Sequence, residues 1–170
     1  MTAAVASTTL DAFEADLTAG GVVTRVLEAW ASGPVRAERV AATAEASAET
    51  RARLAVGPST VLGFRRVRLL CEDRLLSEAD NWFVPELLTA AMLVTLDATD
   101  TPFGIVIEPL EPRRETLACA RLSGDPVLLI RALVLGGNGA PLAFVEERYA
   151  AANIQRPPTV IPAQEGINRS

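Results

Sequence analysis

The sequence contains no histidine and no lysine. The first absence takes away the commonest metal ligand and the commonest general base. A Ser-His-Asp or Cys-His arrangement is excluded within the chain, and a zinc site is disfavoured. Chemistry, if any, is left to Arg, carboxylates, Tyr, Cys or the backbone. The second absence makes all 16 cations arginines, set against 21 acidic residues for a net charge of −5. A nucleic-acid-binding domain usually shows a basic face, so no nucleic-acid partner is expected. Cysteine is scarce as well: Cys71 and Cys119 share no metal or redox spacing and read as free thiols. No apolar run approaches the roughly 18–20 residues of a membrane span. The N-terminal "MTAAVASTTLDAFEADLTAG" lacks the basic and apolar regions of a signal peptide. The expectation is a cytoplasmic protein with no membrane partner, no metal and no cofactor.

What is present suits a globular chain. Apolar residues make up 49% of 170 positions and charged residues 22%, enough for one domain with a real core. Residues 1–152 are expected to form that domain. Residues 153–170 carry three prolines and little periodicity, and are expected to be a loosely ordered extension.

Periodicity predicts a helical region over Leu10–Ala31, with Thr9 as a candidate cap. Leu10, Phe13 and Leu17, then Val23, Val26, Leu27 and Trp30, recur at helical spacing, and Gly20-Gly21 interrupts them. Val35–Ala55 is rich in Ala, Glu and Arg, and strand, helix and loop stay open there. From Val61 the pattern turns to strands: Val61–Cys71 and Leu75–Val84 about a polar turn, then Ile105–Glu108 and Thr116–Leu122. Leu128–Leu135 and Ala140–Val145 follow, around "GGNG". Pro85–Ala98 reads as a short helix and "TDTPFG" as a turn. Helices followed by hairpin-linked strands imply an α+β fold, a largely antiparallel sheet covered by the N-terminal helices.

The last hairpin carries charges inside apolar runs. Asn138-Gly139 fits a two-residue type I′ turn, since both central residues then take positive φ. On that register Arg131 lies directly across from Glu146, and Glu147 points to the opposite face. Either the pair is an exposed ion pair of small worth or it lines a covered pocket. The strand Val61–Cys71 offers the same choice. Alternation puts Phe64, Arg66, Arg68 and Leu70 on one face. Two guanidinium groups on a covered face would suit a small dicarboxylate, which Arg grips through paired hydrogen bonds.

The stretches "RRVRLLCEDRLLSEADNWFVP", "TDTPFG" and "APLAFVEERY" resemble the chorismate–pyruvate lyase family over about Leu62–Tyr149. The fold is shared with UTRA-type effector-binding domains of transcription regulators. The resemblance implies a cofactor-independent enzyme that splits chorismate into 4-hydroxybenzoate and pyruvate; the alternative is an enzyme or stand-alone binding protein of the same fold that takes another small carboxylate of secondary metabolism. It implies Arg66 as the anchor of a ring carboxylate and Glu146, five residues beyond Pro141, as the acid beside the ether oxygen. Arg68 or Arg131 is then expected to meet the second carboxylate, although Arg68 stands where the better-known members of the family carry an aliphatic residue. A backbone amide at Phe103, a polar contact near Asn81 and an apolar contact from Val23 complete the implied set. Asp80-Asn81-Trp82 replaces the family's usual "GRT", which bears on the substrate more than on the fold. A UTRA-type sensor normally follows a DNA-binding domain. The roughly sixty acidic, Ala-rich residues before the sheet show no recognition helix, so the enzyme is expected over the sensor. The lysine-free, Ala/Arg/Val-rich composition looks like a high-GC bacterial coding sequence.

Overall fold

The computed structural model describes residues 2–155, so the loose ordering expected of the C-terminal extension falls, for 156–170, outside the described residues. The chain begins with two helices, α1 (Thr2–Thr18) and α2 (Val23–Ala31), separated at Gly20-Gly21 as the glycine pair implies. Gly20 takes φ +93°, which a side chain would resist. Helix α1 starts before Leu10, so Thr9 lies inside it rather than capping it. The ambiguous stretch that follows holds strand β1 (Arg36–Val40) and helix α3 (Ala48–Arg53). The Ser47 hydroxyl starts α3 by accepting the Thr50 N–H at 3.0 Å.

Strands β2 (Gly63–Cys71) and β3 (Arg74–Phe83) form a hairpin. Helix α4 (Ala90–Ala98) follows, opened by Thr89, which accepts the Met92 N–H at 3.1 Å. The expected strand Ile105–Glu108 is instead helix α5 (Phe103–Val106) and a 3-10 turn over Glu108–Leu110. The Ile105 and Val106 N–H groups both bond the Pro102 carbonyl, at 3.0 and 3.2 Å, and Ile107 bonds Phe103 at 3.1 Å. The β-branched run therefore satisfies its backbone locally, and its strand propensity is overridden by packing against the sheet.

Strands β4 (Arg113–Arg121), β5 (Leu128–Leu135) and β6 (Pro141–Tyr149) complete a six-stranded sheet of order β1-β2-β3-β6-β5-β4, antiparallel throughout. The α+β architecture expected from the sequence is the one observed. One sheet face lies under α1 and α2, where Phe13, Leu17 and Leu27 pack on Val67, Ala79, Ile130 and Tyr149. The other face is partly covered by the crossing from β1 to β2. There Leu54 meets Leu133, Leu135 and Phe144, and the Trp82 indole N–H donates to the Ala44 carbonyl at 3.1 Å. This second cover leaves β5 and β6 apolar on both sides.

Arg131 does face Glu146 across β5 and β6, but the turn is not the one expected. Gly136 donates to the Ala140 carbonyl at 2.8 Å, and only Gly139 of the turn takes positive φ, at +81°. This is a three-residue loop ending in a left-handed glycine. The Asn138 side chain accepts the Ala140 N–H at 3.0 Å. A register shift between Val134 and Leu135 restores the pairing that a two-residue turn would have produced. Among the described residues no helix is long and apolar enough to cross a membrane.

Candidate ligand cavity

Between the helix-covered face and its roof lies a cavity of about 70 Å³, several times the roughly 10–15 Å³ that one water needs. Its floor is Val67, Ala79, Asn81, Val145 and Glu147, which alternation in β2, β3 and β6 turns to this side. Its roof is the start of α2, at Val22–Thr24, and the start of α5, at Pro102–Gly104. Gly104 lets the two roof pieces meet: a Cβ there would lie 3.0 Å from Val22 Cγ1. The Phe103 ring rests 5.7 Å from the Phe83 ring, which fixes α5 to the sheet. Pro112–Arg114 closes one side. Arg65, opposite Asn81, holds the loop leading into α5 by donating to the Thr101 and Thr99 carbonyls at 3.2 and 3.4 Å. Burial, and then the nearby Arg39 charge, hold the Arg65 pKa below its ordinary value.

Within apolar walls a few polar groups stand out. Asn81 is 4% exposed, and its side-chain amide has no hydrogen-bond partner among the described residues. Thr24 is 3% exposed, and its hydroxyl is likewise without a partner among them. The first turn of α2 adds backbone donors. The Arg25 N–H bonds the Val22 carbonyl at 3.0 Å, whereas the N–H groups of Val23 and Thr24 precede the helical ladder.

The cavity wall also contains a buried ion pair that crosses a strand. Arg114 on β4 pairs with Val134 on β5, yet its side chain reaches over β5 to Glu147 on β6. Nη1 donates to Oε1 at 2.9 Å, and Nη2 donates to Oε2. The Tyr149 hydroxyl donates to the same Oε2 at 2.5 Å. The two ionic side chains are 6% and 9% exposed. Burial works against the Arg114 charge, but Glu147 and Tyr149 together outweigh it and hold the guanidinium above its ordinary pKa. Burial, and then Glu147, push the Tyr149 hydroxyl well above the usual phenol value.

Of the residues singled out in the sequence, Asn81, Phe103 and Val23 line this cavity. Arg66, Arg68, Arg131 and Glu146 lie on the other face, in a partly exposed ladder of charges. Arg66 grips Asp80 at 2.5 and 2.8 Å. Arg148 bridges Asp80 and Glu146 at 3.5 and 3.2 Å. Arg131 lies 3.1 Å from Glu49 and 3.6 Å from Glu146, and Arg68 stands between Glu78 and Glu38 at 3.5 and 3.9 Å. Arg66 and Glu146 therefore share a face, but not the face with the cavity. Glu147, not its neighbour, is the acid in the wall. Tyr149 was the available signal: it is the chain's only tyrosine and shares a strand face with Glu147, and a buried phenol needs a partner. Arg114 had no such signal, because a bulge between Thr116 and Ala118 hides the register of β4.

Solved structures place this architecture. The effector domain of PhnF from Mycobacterium smegmatis matches with a TM-score of 0.59 at 11% identity, over 78% of this chain and 90% of that one. A GntR-family transcriptional regulator from Enterococcus faecalis V583 matches at 0.52 and 15% identity, over 71% and 97%. The C-terminal domain of the histidine utilization repressor from Pseudomonas syringae matches at 0.52 and 16%, over 72% and 95%. The fold is that of the GntR effector domains. It is the chorismate lyase-like fold. No family model matches the chain. The uncharacterized protein y4mC from Sinorhizobium fredii is 39% identical over 116 residues, 65% of this chain. This chain spans about half of that relative's length, 48%.

These findings correct the enzyme reading. The similar solved structures are effector domains of regulators, not chorismate lyases, so the lyase activity and its chorismate, pyruvate and 4-hydroxybenzoate are set aside. The catalytic roles given to Arg66 and Glu146 lapse with it. The physical reason is visible in the sheet: the arginines that were to hold two carboxylates are already paired to Asp80, Glu78, Glu49 and Glu146.

Proposed function

We propose that the chain is a ligand-binding domain of the effector type, which takes up a small organic molecule in the cavity beneath α2 and α5. The observation that carries this reading is Asn81. The residue is almost wholly buried, it lines the cavity, and its amide has no partner among the described residues, so its hydrogen-bonding groups are left for a guest in otherwise apolar walls. The similarity in fold to regulator effector domains supports the same reading. The ligand expected from the sequence is a small carboxylate, and the open donors of Thr24 and the α2 amides suit an acidic group. The acidic balance that argues against nucleic acid concerns this segment alone, and contact with DNA in a longer chain falls to another part.

The test is to fill the cavity. Ala79 forms part of its floor and is 4% exposed. Thermal unfolding of the wild type against a panel of small metabolites should show compounds that raise Tm, and Ala79→Leu should lose the response while remaining folded. A panel whose effects are the same in both proteins ends the proposal.

A further inference from the structure

The polar groups around the cavity are not evenly distributed, and their imbalance selects a ligand. The roof offers the N–H donors of Val23 and Thr24 at the start of a nine-residue helix, and the Thr24 hydroxyl, which can donate as well as accept. A helix start favours negative charge. A helix start alone would be weak ground. The floor supplies the independent observation: Asn81 is almost wholly buried, lines the cavity and has an amide without a partner among the described residues.

The floor also limits the charge. Glu147 is an anion in the wall, and its one cation, Arg114, is used in a two-point pair with it. A second acidic group pointed at the floor would face that carboxylate, and Arg114, the guanidinium in the wall, already gives both its Nη groups to Glu147, which leaves only its Nε–H to receive another anion. An uncharged oxygen or amide meets Asn81 without that conflict. Between the ends, Val67, Val145, Val134 and Ile107 offer only apolar contact.

Resting on the reading of this cavity as a small-molecule site, we propose that the ligand is a small monocarboxylic acid: its carboxylate at the start of α2, an apolar body, and one uncharged hydrogen-bonding group at Asn81. This is more specific than acidity in general. It excludes dicarboxylates that span the cavity.

Four probes of nearly equal length separate the parts of the claim: levulinate, valerate, glutarate and valeramide. Titrated into the chain by calorimetry and followed by NMR, levulinate should bind best. It should exceed glutarate and valeramide by about tenfold or more, roughly 1.4 kcal/mol. Asn81→Leu should reduce levulinate to the level of valerate and leave valerate unchanged. Equal binding of valeramide and valerate overturns the anionic head group. Glutarate binding as tightly as levulinate overturns the limit to one acid, and no binding by either monocarboxylate overturns the proposal outright. The parent reading is checked separately through Ala79→Leu. If a neutral probe binds and that variant abolishes it, the cavity stands as the site and only the ligand class falls.

Discussion

The two faces of this sheet carry the same kinds of residue with opposite consequences. On the outer face, Arg131 and Glu146 lie 3.6 Å apart with about a third of each side chain exposed, 33% and 32%. On the helix-covered face, Arg114 and Glu147 are joined at two points and almost wholly enclosed. An exposed pair exchanges one hydrated arrangement for another and is worth about 0–1 kcal/mol. An enclosed pair has given up its water, so removing one partner strands a charge and costs about 3–5 kcal/mol. Residue type does not distinguish a structural ladder from a site wall here. The cover does.

The comparison breaks first at Arg114. Arg114→Met should lower unfolding stability by about 3–5 kcal/mol, read as a shift in the urea midpoint with the slope unchanged. Adding Glu147→Leu should recover a large part of the loss, since no charge is then stranded. If Arg114→Met and Arg131→Met cost the same, the contrast between the faces is mistaken.

Tyr149 sharpens it next. Its hydroxyl donates to Glu147 at 2.5 Å, so Tyr149→Phe should cost about 1–2 kcal/mol at neutral pH. The pH dependence has a definite sign. Folding raises this phenol's pKa, so its contribution is fully present below the unfolded value of about 10 and is lost as pH climbs above it. The Cys119 thiol is raised too, by burial and then by Glu14, and contributes to the alkaline limb of both proteins. Subtracting the Tyr149→Phe stability profile from the wild-type profile isolates the phenol. The difference should be flat up to about pH 10 and shrink beyond it. A difference that does not change with pH would show that the hydroxyl is not held by the fold. Because the chain has one tyrosine, its ultraviolet titration in the native protein reads the same group directly.

Much of the fold could be read from alternation and turn residues. The hairpin from Leu128 to Tyr149, the β2–β3 hairpin and the break at Gly20-Gly21 all follow from local spacing. Which side of the sheet holds the cavity could not be read that way. Alternation sorts residues into two sets but does not say which set is covered, and here both are. Leu133 and Phe144 on the outer face pack under Leu54, while Ile130 and Ala132 on the inner face are fully enclosed. The cover comes from Ala41–Leu62, a stretch without periodicity, so a set containing two arginines and a glutamate looked as apolar as the set with the cavity. Adjacent like residues compound the difficulty. Arg65 and Arg66 differ by one position, as do Glu146 and Glu147, and each pair is divided between the faces. A resemblance carried by short motifs fixes such a pair only to within one residue, and in a strand one residue is the whole difference between inside and outside.

The smallest effect is expected on the outer ladder, and it is the most discriminating control. Arg131→Met removes contacts to Glu49 and Glu146, yet its stem still lies beside Phe144, whose ring is 5.4 Å from the guanidinium carbon. Methionine keeps most of that packing, so the change should stay within about 1 kcal/mol. Salt should erase most of what remains, since exposed charges are screened over roughly 8–10 Å at ordinary ionic strength. The same rise in salt should leave the cost of Arg114→Met nearly unchanged, because its pair lies behind the helices. Measuring both variants at low and high salt therefore tests cover itself, apart from any ligand. A salt-sensitive Arg114 or a salt-insensitive Arg131 would mean that water reaches the helix-covered face more readily than the outer one.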